Sequence, residues 1–105
     1  MIPTDILNII GDIDNDVLAI TSLLGIDLAR QRDLYSKNSK AIRPLLFNIF
    51  FNLKKIEQFL VGCGDLSEEI VSDTFISEGR VLTLAQWTHE IKDWVRGINM
   101  LDNRP

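Results

Sequence analysis

Three aspartates near the N-terminus are the first residues whose type and spacing could do chemistry: Asp12, Asp14 and Asp16. Alternating carboxylates of this kind begin a common calcium-binding loop. That loop also needs glycine at its sixth position and glutamate at its twelfth, where this chain has Val17 and Leu23. In a helix the three carboxylates would also point in different directions. The segment therefore favours a solvated helix, and we predict neither a metal nor a cofactor.

The single cysteine, Cys63, lies between Gly62 and Gly64. A thiolate there, with His89 as its base, would provide a nucleophile or a redox sensor, although nothing in the sequence brings the two side chains together. One cysteine and one histidine are too few ligands for a zinc site. The two glycines lack the third glycine of a dinucleotide-binding loop and follow a helical pattern. We interpret them as a helix stop and keep a thiol-dependent enzyme or redox sensor as an alternative function.

Two adjacent glutamates, Glu68 and Glu69, complete the candidates for catalysis. Neighbouring residues diverge around a helix, so these carboxylates do not form an acid–base pair across a cleft. Residues 54–73 could also be a helix-turn-helix, but its second helix would bring both carboxylates toward DNA phosphates. We therefore assign no residue to catalysis and predict that the protein is not an enzyme.

The middle of the chain is its only cationic part. Residues 30–55 carry a charge of +6, from seven basic residues and one acidic residue, whereas residues 1–29 and 56–105 each carry −5. Five basic residues are candidates for contact with RNA or DNA, a phosphorylated ligand or an acidic partner: Arg30, Arg32, Lys37, Lys40 and Arg43. Alternatively, the arginines complement a helix C-terminus and the lysines keep a connector soluble. The net charge of −4 argues against nucleic acid as the main ligand.

Three segments position these residues, and each carries apolar side chains at alternating four- and three-residue steps, which is the spacing of one helix face. The stripes are Ile6, Ile10, Ile13, Val17, Ile20 and Leu24; Ile42, Leu46, Ile49, Leu53, Ile56 and Leu60; and Leu84, Trp87, Ile91, Trp94, Ile98 and Leu101. The first stripe predicts a helix over residues 4–33, in which Gly11 or Gly25 can mark a break. The second predicts a helix that ends at Gly62. Its start is Ser39 or Arg43, because proline at position 44 is tolerated only near a first turn.

The connections between the long helices are less regular. Residues 35–40 have the polar composition of a connector, and a short helix is predicted from Asp65 or Ser67 to about Ser72. Residues 74–83 allow either a loop or a hairpin closed by Glu78 and Gly79. Thr83 and Gln86 form a capping box that starts the last helix. The sequence thus predicts one all-α domain over residues 1–105: an up-down bundle of three main helices and one short helix, with or without a small β-hairpin at 74–83.

The sequence holds more apolar surface than this core requires. Phe47 and Phe51 project roughly 100° to 140° away from Leu46, and Leu7 and Leu18 lie similarly off the stripe of the first helix. Such a surface is covered by another helix, a second copy or a partner. We expect a small protein-interaction or regulatory module, in the form of a homodimer, with Leu7, Leu18, Phe47 and Phe51 as interface candidates.

Two further patterns concern location. No apolar run reaches the roughly 20 residues that span a bilayer. The first basic residue, Arg30, follows five aspartates, which is unlike the start of a secretory signal. The sequence therefore predicts a cytoplasmic protein without membrane contact.

Overall fold

The computed structural model describes residues 1–102. Over that range the chain forms five α-helices, two short 3-10 turns and one two-stranded sheet. The helices are α1 (Thr4–Leu24), α2 (Gln31–Lys37), α3 (Ser39–Cys63), α4 (Ser67–Ser72) and α5 (Leu84–Asp102), the strands are β1 (Thr74–Ser77) and β2 (Arg80–Thr83), and the 3-10 turns are Leu28–Arg30 and Gly64–Leu66. The prediction of an all-α fold with a small hairpin is confirmed. The predicted domain also includes residues 103–105, which lie outside the described residues.

The three long helices run up, down and up. Two ion pairs join α3 to α5, one between Arg43 and Asp102 at 3.3 Å and one between Glu57 and Lys92 at 3.2 Å. The earlier residue of α3 pairs with the later residue of α5, which shows that these helices are antiparallel. Helix α1 packs against α3 and is joined to α5 by a hydrogen bond between Asp14 and Trp87. The resulting molecule is elongated, with extents of 44 × 26 × 21 Å.

The core lies between the long helices and consists largely of the three predicted stripes. Its most deeply buried aliphatic members are Ile13, Ile20, Ile42, Ile49, Ile56 and Leu84. On α5 the prediction is wrong in part, because Val95 is buried whereas Trp94 and Leu101 are only half-buried. Trp94 therefore packs against the edge of the core, and the more buried indole belongs to Trp87.

The first helix is shorter than predicted, because it ends at Leu24 and not near residue 33. Gly25 has φ +69° and ψ −171°, a conformation open essentially only to glycine, and Gly11 remains inside the helix. The residues after this break are unusually exposed for apolar side chains, since Ile26 is 96% and Leu28 is 80% exposed. Of the two glycines that could have broken the helix, only Gly25 does so.

The predicted connector at residues 35–40 is also wrong, since only Asn38 separates α2 from α3. Tyr35 is buried, so α2 contributes to the core. The Asn38 amide does not cap α3; its Nδ2 donates a hydrogen bond of 2.8 Å to the carbonyl of Leu34 in α2. Helix α3 begins at Ser39, and Pro44 lies inside it. Pro44 has no N–H to donate to the carbonyl of Lys40, and both residues are exposed, so solvent has access to this part of the helix.

Residues 74–83 form the hairpin and not the loop. Its two-residue turn has φ +52° at Glu78 and +77° at Gly79, and positive φ at both central positions matches the twist of paired strands. Phe75 pairs with Leu82 across the strands on the side that faces the core. The capping box is confirmed, since the Thr83 N–H donates to the Gln86 side chain at 2.9 Å and the Gln86 N–H donates to the Thr83 hydroxyl at 3.1 Å.

Candidate interaction surface

Three phenylalanines stand on the exposed side of α3: Phe47 is 72%, Phe50 is 44% and Phe51 is 58% exposed. Helix geometry explains this, because Phe47 and Phe51 lie two residues on either side of the fully buried Ile49 and so roughly 160° away from it. Together with neighbouring basic residues they form what we call the α3 face, which consists of Lys40, Arg43, Phe47, Phe50, Phe51, Lys54 and Lys55. All seven side chains are exposed.

The α3 face has an aromatic centre with basic residues at both ends. Lys40 and Arg43 precede the phenylalanines, and Lys54 and Lys55 follow them. The Lys55 ammonium lies 4.9 Å from the centre of the Phe51 ring, a cation–π contact. Within residues 1–102, Arg43 is the only one of these four cations that forms an ion pair. Its pKa is raised above its ordinary value, first by the hydrogen bond to Asp102 and then by Tyr35.

A groove of about 340 Å³ between α3 and α5 continues the α3 face. Phe50, Leu53 and Val95 provide its apolar lining. The charged lining residues are Lys54, Glu57, Lys92 and Arg96. Glu57, whose partner is not evident from the sequence, pairs with Lys92 across the groove. Because Phe50 and Lys54 belong to both features, the α3 face and the groove form one continuous surface.

The four predicted interface residues do not share one face. All are exposed, as expected of interface candidates. Leu18 lies one turn after Asp14, whose carboxylate faces the hairpin and α5, and Leu7 lies on the same side of α1 two turns earlier. Leu7 and Leu18 therefore belong to this flank of α1, whereas Phe47 and Phe51 belong to the α3 face.

The five predicted anion contacts are spread over three elements. Arg30 ends a 3-10 turn, Arg32 and Lys37 lie on α2, and Lys40 and Arg43 lie on α3. Only the last two continue into the aromatic centre, since Arg43 is one turn before Phe47. The basic and aromatic residues were not predicted to form one surface, and Phe50, Lys54 and Lys55 were not among the predicted site residues. The four-residue steps from Arg43 to Phe47 and from Phe51 to Lys55 could have indicated that these residues share one side of the helix.

Asp14 has a structural role in place of the calcium contact that we considered. Its Oδ2 accepts a hydrogen bond of 2.6 Å from the Ser77 hydroxyl, and its Oδ1 accepts one of 2.9 Å from the Trp87 indole N–H. Burial raises the pKa of Asp16 above its ordinary value, and the neighbouring charge of Asp12 raises it further. Among residues 1–102, no three side chains of histidine, cysteine, aspartate or glutamate come together where they could hold a metal ion.

Cys63 and His89 have separate surroundings. Cys63 is the last residue of α3 and is half-buried against the core. The His89 imidazole is exposed on α5, where its Nε2 lies 3.2 Å from a carboxylate oxygen of Asp93, one turn further along. No hydrogen bond found in residues 1–102 joins the thiol to the imidazole. The arrangement is that of a surface histidine and a cysteine at a helix end.

Comparisons with models of known protein families, with curated proteins and with solved structures found no match. Within the described part of the chain, no helix combines the length and the apolar character that crossing a membrane requires. Function must therefore be argued from the surface itself.

Proposed function

We propose that this protein is a small, non-enzymatic interaction module that binds another macromolecule through the α3 face. The observation that carries the proposal is the exposure of three phenylalanines that belong neither to the buried core nor to the side chains packed against it. Aromatic side chains are enriched in protein interfaces, where they bury a large area at a small entropic cost. The adjoining groove offers a partner's apolar side chain a place to insert.

A photo-crosslinker tests this proposal for a partner of any identity. We would replace Phe47 or Phe51 with p-benzoylphenylalanine in the full chain and irradiate the cells that naturally contain it. The matched control carries the same group at Ile76, an exposed apolar residue on the hairpin. We expect a discrete adduct from positions 47 and 51 and none from position 76. No adduct from α3, or equal adducts from all three positions, would show that the α3 face does not bind.

The homodimer predicted from the sequence stays a prediction, and the same crosslink tests it, because a second copy gives an adduct of twice the chain mass. The basic segment 30–43 as a nucleic-acid contact is the alternative. If this alternative is correct, the crosslinked adduct contains nucleic acid, and nuclease treatment lowers its mass. A thiol-dependent function through Cys63 would require this residue to alkylate faster than an ordinary cysteine at neutral pH.

A further inference from the structure

The charges around the phenylalanines indicate what kind of partner fits them. The α3 face contains four cations, Lys40, Arg43, Lys54 and Lys55, and no acidic residue. Lys92 and Arg96 add two basic side chains at the groove, but both are paired with carboxylates, Lys92 with Glu57 at 3.2 Å and Arg96 with Asp93 at 3.5 Å. The surface is therefore apolar at its centre and cationic at its margins, on a chain whose net charge is −4.

A second copy of this chain fits the α3 face poorly. Two copies could pack their α3 faces antiparallel, with the twofold axis level with Ile49 along the helix. Arg43 of one copy would then face Lys55 of the other. A parallel arrangement would bring the Lys54 and Lys55 side chains of both copies together. Like charges that meet in an interface oppose association. Asp102 offsets Arg43, but Lys54 and Lys55 form no ion pair within residues 1–102.

A nucleic acid also fits poorly, because it would extend beyond the cationic surface. Lys40 and Lys55 are 15 residues apart on α3, which corresponds to roughly 22 Å along the helix. Residues 30–39 add a charge of only +2, and the two ends of the chain are acidic, with −5 on residues 1–29 and −5 on residues 56–105. A compact anionic ligand with apolar groups matches these limits better than a long polyanion does.

We infer that the α3 face and the adjoining groove bind an acidic amphipathic helix of another protein. This inference rests on the proposed interaction function. A partner helix of about 15 residues would span the distance from Lys40 to Lys55. Its apolar side chains, spaced by three and four residues, would pack on the phenylalanines and enter the groove over Leu53 and Val95. Glutamate or aspartate at its flanks would face the cations of Lys54 and Lys55, which form no ion pair within residues 1–102.

A defined peptide library tests the partner class. We would display 15-residue helical peptides that carry leucine at positions three and four residues apart, so that the leucines form one apolar stripe. The other positions would hold an equal mixture of glutamate and lysine, and peptides that bind the full chain would be selected. We expect the selected peptides to be rich in glutamate. We also expect the double variant Lys54→Glu, Lys55→Glu to weaken their binding roughly tenfold, because attraction becomes repulsion at two positions. The control variant Arg80→Glu, which reverses the charge of an exposed residue on the hairpin, should leave binding unchanged.

The outcomes separate this inference from the proposed function. Peptides that need Phe47 and Phe51 but show no preference for glutamate would overturn the acidic partner and leave the interaction surface intact. Light scattering gives a second test. If the wild type is a dimer and the double variant Phe47→Asp, Phe51→Asp is a monomer, a second copy occupies the α3 face, and the acidic partner is overturned while the interaction surface remains. Binding that is indifferent to both phenylalanines would overturn the inference and the proposed function together.

Discussion

Asp14 joins three parts of the molecule through one carboxylate. Ser77 on the hairpin and Trp87 on α5 both donate to it from their own elements, and both donors are buried. A hydrogen bond to a charged group contributes about 1.5–3 kcal/mol, and a buried donor that loses its acceptor costs about 1–3 kcal/mol. The stability of this junction therefore depends on a side chain that is itself half-buried.

We expect Asp14→Ala to lower the free energy of unfolding by roughly 2–4 kcal/mol, because both donors lose their acceptor. Urea denaturation followed by tryptophan fluorescence measures this change, and the emission of Trp87 should report it directly. Asp12→Ala is the matched control, since Asp12 is exposed on the same helix and should change stability by no more than about 0.5 kcal/mol. Equal effects of the two substitutions would contradict the role of Asp14.

Asp16 should make stability depend on pH. Burial, and then the charge of Asp12, raise its pKa above its ordinary value, so the folded protein holds this proton more tightly than the unfolded chain does. The stabilising effect of protonation is therefore present below the unfolded pKa of about 3.9 and is lost as the pH rises through the folded pKa. At neutral pH the ionised Asp16 carboxylate opposes folding.

We expect Asp16→Asn to be more stable than the wild type at pH 7, with a difference that shrinks as the pH falls toward about 4. Urea denaturation at a series of pH values measures it. Asp12→Asn should lower the Asp16 pKa in an NMR titration without returning it to its ordinary value, because burial is the larger cause. A variant that is less stable than the wild type at pH 7 would contradict this account.

The roles of single residues were the least predictable from sequence. Ser77 and Trp87 lie 63 and 73 residues beyond Asp14, and no local pattern connects positions so far apart. Helical periodicity relates a residue only to other residues of its own helix. The pattern around Asp14 therefore pointed only to its neighbours Asp12 and Asp16, with which it resembled the start of a metal-binding loop. Trp94 shows the same limit, since the exact packing of α5 decided that Val95 is the more buried residue.

Among the elements, the capping box that starts α5 was predicted because its chemical cause is local, whereas residues 74–83 were left open between a loop and a hairpin. The capping box at Thr83 and Gln86 and the turn at Glu78 and Gly79 both satisfy the backbone within a few residues. The end of α1 was not predicted, because Gly11 and Gly25 look alike in a helical pattern. Tertiary structure distinguishes them, since α2 turns back to place Tyr35 in the core.

Substitution of these two glycines should have opposite effects. We expect Gly25→Ala to lower the free energy of unfolding by about 1–3 kcal/mol, because alanine is strained at φ +69°. Gly11→Ala should raise it by about 0.5–1 kcal/mol, because Gly11 is helical and exposed and an added Cβ meets nothing within 4 Å. Thermal and urea unfolding of both variants measure the difference. Equal signs would mean that α1 does not end at Gly25.

In the whole molecule, the continuous surface of the α3 face and the groove arises from the arrangement of the helices. The sequence identified Phe47 and Phe51 as surplus apolar residues and Lys40 and Arg43 as candidate anion contacts. It did not reveal the groove, because Leu53 and Val95 meet only once α3 and α5 lie side by side. Glu57 and Lys92 likewise pair across the groove only because α3 and α5 lie antiparallel.

If the α3 face serves binding and not folding, its phenylalanines should be dispensable for stability. We expect Phe47→Gln and Phe51→Gln each to change the free energy of unfolding by no more than about 0.5 kcal/mol, because both side chains are largely exposed. Ile49→Ala, on the buried side of the same turn, should cost about 2–5 kcal/mol. Urea denaturation at several protein concentrations makes the test sharper. A loss above about 2 kcal/mol that grows with protein concentration would show that a second copy covers the face, since an interface stabilises the fold by mass action.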